Sequence, residues 1–179
     1  SSAIIAILLG EKKEELARDN FTFIIFLSFV IGLLIAIFGN IFIENIISMT
    51  GASEVQYQYC KDYIRILFYF APAFFLQTVF QTLFVTAGKP MIGLISTIMA
   101  GIANMVLDYV FIVPFDLGIS GAALATGIGY VIPALIGLIY FKVKKDCPLH
   151  FVNFNFDWTM FKKACFNGSS EMVTNIANA

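Results

Sequence analysis

The sequence predicts an all-α integral membrane protein, built as a polytopic helical bundle. Hydrophobic residues make up 59% of its 179 residues and charged residues only 13%, with a mean hydropathy of +0.86. A soluble domain carries about 25% charged residues, so this composition favours lipid as the surrounding solvent. Four long runs contain at most one charged residue each. Each run is long enough to cross the ~30 Å hydrocarbon core, which needs a helix of ~20 residues.

The runs, and the charged segments between them, set the order of the elements. The chain opens in the end of one membrane helix, and four complete helices follow before a basic linker and the start of a further helix. The predicted segments are a helix end at 1–10, helices at 21–43, 62–88, 90–113 and 117–141, a cytoplasmic linker at 142–163 and a helix start at 164–179. Within the linker, "FNFDWTMFKKACF" has the aromatic and lysine pattern of an interfacial amphipathic helix.

Basic residues between the runs are concentrated on one side of the membrane. Nine of the 11 lysines and arginines lie in the segment after the first helix, at Lys89 and in the 142–163 linker, whereas Lys61 and Arg65 lie on the other side. The positive-inside rule places the first set in the cytoplasm. A net charge of −1 argues against a nucleic-acid partner, which needs a concentrated basic face. The three cysteines and one histidine have no metal-binding spacing, so we predict neither a structural metal site nor a disulfide.

Small and polar residues inside the runs indicate how the helices pack. Lipid gives helices no hydrophobic drive to associate, so small residues at four-residue spacing predict close contacts. Such stripes are Ser28, Gly32, Ala36 and Gly39 in one helix and Gly121, Ala125 and Gly129 in another. Pro72 and Pro133 each remove a helix hydrogen bond and permit a kink. Gln77 and Gln81 lie one turn apart, and their amides need partners, either on another helix or in a water-filled cavity.

One carboxylate lies inside an otherwise uncharged run. Asp108 occurs in "NMVLDYVFIVPF" (104–115), where an ionised acid near the bilayer centre costs about 3 kcal/mol on translocon scales. It belongs to a polar stripe spaced by 4, 3 and 4 residues, which is the spacing of one helix face. The stripe comprises Thr97, Gly101, Asn104 and Asp108.

The next helix brings a hydroxyl to a similar depth. Counted from their shared turn at 1.5 Å per residue, Asp108 lies about 10 Å and Thr126 about 13 Å into the membrane. A carboxylate, the Asn104 amide and a hydroxyl form an oxygen-rich cluster that can hold a proton or a hard monovalent cation. The alternative is a structural Asp108 that makes one interhelical hydrogen bond, but an acid within a membrane helix favours a functional role.

These motifs together resemble the multidrug and toxic compound extrusion (MATE) transporter family. The matching stretches are "LGEKKEELA", "TAGKP", "NMVLDYVFIVPFDLGISGAALATGIGY" and "NGSSEMVTNIA", in that order over nearly the whole chain. The resemblance implies a twelve-helix, two-lobe transporter, of which this chain runs from the end of helix 2 to the start of helix 7. Residues 1–141 would then be part of the amino-terminal lobe and 164–179 the start of the second lobe.

The resemblance also implies roles for individual residues. Asn104, Asp108 and Thr126 match the cation-coupling positions of the family, with sodium at Asp108 as the only metal to consider. Tyr63 matches a tyrosine near the substrate cavity in the family and is a candidate for contact with the substrate or the cavity. Gln77 and Gln81 are candidates for the same role because they are amides inside a membrane helix, not because of the resemblance. Glu171 is either a cation or substrate contact in the second lobe or a carboxylate at a helix start facing the cytoplasmic boundary.

The implied function is secondary active multidrug efflux, exchanging organic compounds, expected to be cationic, for protons or sodium. The sequence leaves the coupling ion open and predicts no other cofactor. The expected setting is the cell inner (plasma) membrane, multi-pass and monomeric in the full-length form, with small drug-like molecules and the lipid bilayer as partners. A lipid-linked oligosaccharide flippase is the alternative, although the four runs contain no lysine or arginine to meet a pyrophosphate. No enzyme is predicted, because the chain has no nucleophile elbow, phosphate loop or catalytic cluster.

Overall fold

The computed structural model of the protein describes residues 2–48, 54–144 and 147–152. Over these ranges the regular secondary structure is entirely α-helical, joined by short turns, and contains no strand. The predicted interfacial helix, the helix start at 164–179, and with it Glu171, lie outside the described residues. The helices are α1 (Ser2–Gly10), α2 (Glu14–Ile41), α3 (Ile43–Ser48), α4 (Glu54–Tyr69), α5 (Ala71–Thr86), α6 (Pro90–Ile112) and α7 (Gly118–Val143).

Three of the described helices, α2, α6 and α7, are long and apolar enough to cross a membrane. The fourth predicted span is not one helix from 62 to 88 but a pair, α4 and α5, bent by 55° at a short break. Pro72 lies in the first turn of α5, where its missing N–H costs least and its ring prevents the preceding helix from continuing. The kink expected at this proline is therefore a break, whereas Pro133 stays inside α7.

The helix ends agree with the sequence predictions at some boundaries and differ at others. The predicted 90–113 and 117–141 helices match α6 and α7 within one or two residues. In contrast, α2 begins at Glu14, seven residues before the predicted start, and ends at Ile41, where a short α3 follows. The early start is stabilised by an ion pair one turn apart, in which Arg18 Nη2 lies 2.7 Å from Glu14 Oε2. A charged segment marks where the hydrocarbon ends, not where the helix ends.

The core lies at the end of the bundle that carries most of the basic residues. Phe21 of α2, Phe80 and Phe84 of α5 and Phe141 of α7 are buried there. The ring of Phe141 is 4.9 Å from that of Phe21 and 5.0 Å from that of Phe84, measured between centroids. Aromatic pairs at these distances add to the stabilisation that burial provides. This end of the bundle is therefore closed by packed rings.

Glycines allow the helices to approach closely, as the small-residue stripes predict. A Cβ placed on Gly32 of α2 would lie 2.6 Å from Pro72 Cα, and one on Gly39 would lie 2.6 Å from the Phe68 ring. On α7, Gly137 packs against the Phe80 ring in the same way. These contacts hold α2 and α7 against the two halves of the broken span.

The segment after α7, residues 147–152, folds back across the end of α2. Arg18 Nε donates a hydrogen bond of 3.0 Å to the carbonyl of Pro148, and the backbone N–H of Val152 donates one of 3.2 Å to Thr22 Oγ1. Leu149, in the middle of this segment, is fully buried. The part of the predicted linker that the structure describes beyond α7 is thus docked on the helical bundle.

Candidate functional site

A cavity of about 250 Å³ lies between α6 and α7. It contains most of the polar stripe predicted on α6 and the threonine predicted to face it on α7. Its lining residues are Thr97, Ala100, Gly101 and Asn104 of α6 and Thr126, Gly129 and Tyr130 of α7. The structure therefore brings the predicted pair Asn104 and Thr126 to one cavity.

The two walls meet because α7 presents glycines to α6. A Cβ placed on Gly129 would lie 3.6 Å from Asn104 Cβ and 4.0 Å from Asn104 Nδ2, so this glycine lies directly opposite the amide. Nearer the turn between the helices, a Cβ on Gly121 would lie 3.0 Å from Phe111 Cβ. The turn itself uses two residues with left-handed backbone, Asp116 (φ 51°) and Gly118 (φ 52°). This tight connection fixes the antiparallel register that puts Asn104 and Thr126 at one depth.

Asp108 lies one turn beyond Asn104 on α6, next to the cavity and not among its lining residues. Its Oδ1 atom is buried and has no hydrogen-bond partner among the described residues. Its own helix carries no other charged residue, and α7 carries none before Lys142. A buried polar atom without a partner indicates strain, a functional role or an unseen water or ion. A purely structural Asp108 would form a hydrogen bond to another helix. Oδ1 forms none with the described residues.

The two glutamines of α5 have different surroundings. Gln81 Nε2 donates a hydrogen bond of 2.9 Å to Thr97 Oγ1 on α6, so its partner is another helix. Gln77 is half-buried on α5, and Tyr63 is half-buried on α4. None of these three candidates lines the cavity between α6 and α7.

Tyr130 lines the cavity, although its sequence context did not single it out. The available signal was its spacing, since it follows Thr126 by one helical turn and therefore shares its face. Tyr130 also lines a second, mostly apolar cavity of about 340 Å³ between α2, α4, α5 and α7, where its ring centroid is 5.2 Å from that of Phe74. The Tyr130 side chain thus borders both this cavity and a second, more apolar one.

The groups at this site that could coordinate an ion are a single carboxylate, an amide and hydroxyls. Within the described ranges, no three His, Cys, Asp or Glu side chains lie close enough to hold a metal ion together. Neutral oxygen ligands beside one carboxylate are the chemistry of a proton or a hard cation, whereas zinc takes nitrogen and sulfur ligands. The side chains that could hold such an ion are those of Asp108, Asn104 and Thr126.

Comparisons with known proteins identify relatives of this chain. The sequence model of the MatE family matches residues 1–110. The multidrug export protein MepA of Staphylococcus haemolyticus is 34% identical over 142 residues, which cover 79% of this chain and 31% of that protein. MepA of a bovine strain of Staphylococcus aureus is 30% identical, with 79% and 32% covered. The chain spans about a third of the length of these curated relatives.

Solved structures share the fold. An inward-facing conformation of a multidrug resistance MATE family transporter of the MOP superfamily superposes with a TM-score of 0.83 at 24% identity, over 90% of this chain and 37% of that chain. A MOP superfamily transporter from Pyrococcus furiosus, described as having a binding pocket of reversed polarity and a different function, gives a TM-score of 0.84 at 24% identity, over 90% and 36%. Because the family model matches more than half of its length, this all-helical membrane chain belongs to the MatE family.

Proposed function

We propose that the protein containing this chain is a secondary active multidrug efflux transporter, which exchanges organic, mainly cationic compounds for protons or sodium. The observation that carries the proposal is Asp108, whose buried Oδ1 has no partner among the described residues. Asp108 lies one helical turn beyond Asn104, which lines a cavity together with Thr126. The multidrug export proteins among the relatives support the transport class.

A membrane helix keeps such a carboxylate only if something compensates for its burial. An unpartnered buried acceptor costs about 1–3 kcal/mol, and more when it is charged. A proton or a sodium ion removes that cost when it binds, and restores it when it leaves. Asp108 is therefore suited to take up a cation from one side of the membrane and to release it on the other.

Coupling requires that the cation distinguish two states of the transporter. A ligand with equal affinity for two conformations shifts no equilibrium between them. The cavity wall offers a means, because Asn104 lies on α6 and Thr126 on α7. A movement between these helices would change the number of oxygen atoms that reach an ion at Asp108, and so its affinity.

The proposal extends to the setting of the transporter. By the positive-inside rule, the excess of basic residues supports a cytoplasmic location for the α1–α2 turn, the α5–α6 turn and the segment after α7 of a plasma-membrane protein. Small drug-like molecules would be the cargo of a monomer. The alternative of a lipid-linked oligosaccharide flippase has no support from the relatives, which are multidrug exporters by name.

The test is efflux by the full-length protein in proteoliposomes under an imposed proton or sodium gradient. Asp108→Asn keeps the size and hydrogen-bonding capacity of the side chain but removes its charge and its proton exchange. We expect export to fall at least tenfold under the gradient that drives the wild type. Asn104→Ala and Thr126→Ala each remove one neutral ligand and should reduce export less.

A matched control makes the same chemical change eight residues away. Asp116→Asn alters an exposed carboxylate in the α6–α7 turn, where asparagine also tolerates the left-handed backbone. This variant should export at the wild-type rate. Wild-type export by Asp108→Asn under both gradients would show that the carboxylate is structural.

A further inference from the structure

A hydrogen bond from α5 holds the α6 wall of the cavity, and its donor lies outside the cavity lining. Gln81 Nε2 donates to Thr97 Oγ1 at 2.9 Å, and the same hydroxyl donates to the carbonyl of Gly93 at 3.0 Å. Thr97 lines the cavity, whereas Gln81 does not. Gln81 therefore contacts the cavity only through another residue.

A second contact repeats the same pairing one turn away. A Cβ placed on Gly93 of α6 would lie 3.5 Å from Phe84 Cβ on α5. Gln81 and Phe84 are three residues apart on α5, and their partners Thr97 and Gly93 are four residues apart on α6 in the reverse order. The two contacts therefore lie on consecutive turns of antiparallel helices. The rest of α6 has little cover, since Gly93 and Ser96 are its only buried residues. At this half of the wall, α5 thus contacts α6 at two consecutive turns.

The hydrogen bonds of Thr97 also set what the cavity offers a ligand. A threonine hydroxyl has one proton and two lone pairs. The proton is committed to Gly93 and one lone pair to Gln81, so Thr97 cannot donate to a molecule in the cavity. Its neighbours along the wall, Ala100 and Gly101, carry no polar side chain.

The opposite end of the cavity keeps its polar groups available. Asn104 lies seven residues beyond Thr97, or about 10 Å along the helix. Neither Asn104 nor Thr126 forms a side-chain hydrogen bond with another described residue. The Asn104 end of the cavity therefore keeps a free amide and a free hydroxyl. At the other end, the only hydroxyl on the α6 side, that of Thr97, has its proton already taken, while Tyr130 lines the cavity from α7.

We propose that Gln81 is a positioning residue of this cavity. By holding Thr97, it fixes the α6 wall and leaves the α6 side of that end without a free hydrogen-bond donor, which suits the apolar ring system of an amphipathic aromatic cation. The inference rests on the proposed function, since it assigns the part of the site that selects such compounds. A residue acting through Thr97 has no effect once the Thr97 hydroxyl is gone.

The test is binding of ethidium, a fluorescent aromatic cation, to the full-length protein, followed by the KM and kcat of its transport. Gln81→Leu should raise the dissociation constant three- to tenfold, and it should raise KM with little change in kcat. Thr97→Val should do the same, and Thr97→Ser should bind as the wild type does. The Gln81→Leu/Thr97→Val double variant should bind no more weakly than Thr97→Val alone.

A matched control is Thr78→Val on α5, since Thr78 also donates to the carbonyl four residues before it but has no contact with the cavity. It should leave ethidium binding unchanged. Additive losses in the double variant, an unchanged dissociation constant in Gln81→Leu, or a wild type that binds no ethidium would each overturn the inference. If ethidium binds with the expected pattern but no gradient drives its export, the proposed function fails and the role of Gln81 stands.

Discussion

The contact between Gly32 and Pro72 gives a quantitative test of how α2 packs against the broken span. A Cβ placed on Gly32 would lie 2.6 Å from Pro72 Cα, 3.0 Å from Pro72 N and 3.2 Å from the carbonyl oxygen of Ala71. All three are backbone atoms, so no side-chain rotation can relieve the overlap. Gly32→Ala must therefore separate two helices.

The loss of stability expected for Gly32→Ala follows from these distances. The nearest contact is about 1 Å shorter than the 3.5–4.0 Å at which carbon atoms attract best. Overpacking of this kind costs about 1–3 kcal/mol, and rigid backbone puts Gly32→Ala in the upper half of that range. Replacing a helical glycine by alanine also gains about 1 kcal/mol in helix propensity.

Gly101→Ala is the matched control, because it has the same gain in propensity and no atom within 4 Å of the new Cβ. The difference between the two variants isolates the packing cost, which we expect to be about 2–3 kcal/mol. For a cooperative unit of 150–250 residues this lowers the melting temperature by about 4–12 °C. The measurement is thermal unfolding of the full-length protein in detergent, followed by circular dichroism. Melting temperatures within 1 °C of each other would refute the close approach of α2 to Pro72.

Two further predictions concern the ends of the bundle. Arg18→Ala removes a hydrogen bond to the 147–152 segment, worth about 1.5–3 kcal/mol for a charged donor, and should speed maleimide labelling of the buried Cys147 at least tenfold. An unchanged rate, in protein whose other cysteines are replaced by serine, would contradict the docking of this segment. On the opposite side, the hydrogen bond and charge of Lys61 lower the pKa of Glu44 below its usual 4.5, so the stabilisation from this pair is complete above that value and is lost as the pH falls through the lowered pKa. On acidification to about pH 3, the melting temperature of the wild type should therefore fall further than that of Lys61→Met. Equal decreases would show that Glu44 and Lys61 do not form an ion pair.

Several features of the fold could be predicted from the sequence because a short local signal determines each of them. Lys89 and Pro90 mark the start of α6, and the turn at Asp116 marks the gap before α7, so both helices were predicted within one or two residues. The starts of α2 and α4 were placed too late, because charged and polar residues continue a helix beyond the lipid. Pro72 located the distortion of the fourth span, but the sequence did not show that the helix breaks there.

The candidate site was predicted in part for similar reasons. Asn104 and Thr126 meet in one cavity because a short turn fixes the register of two antiparallel helices, and that turn is visible in the sequence. The pairing of Gln81 with Thr97 was not predictable, because it depends on how α5 is rotated against α6. The structure also places Tyr130 in the cavity wall and sets Asp108 beside the cavity instead of in its lining.

The sequence by itself determined the solvent, the apolar runs that cross it and the single polar face that carries Asp108. Only the tertiary structure decided which apolar faces meet each other and which meet lipid. Phe80 and Phe141 are buried in the core, while Phe26 and Phe38 are about half exposed, although all four are phenylalanines in apolar runs. In water, hydrophobicity distinguishes the inside of a protein from its surface. In a membrane, lipid is as apolar as the core, so helix pairing depends on shape, on small residues and on a few hydrogen bonds between helices.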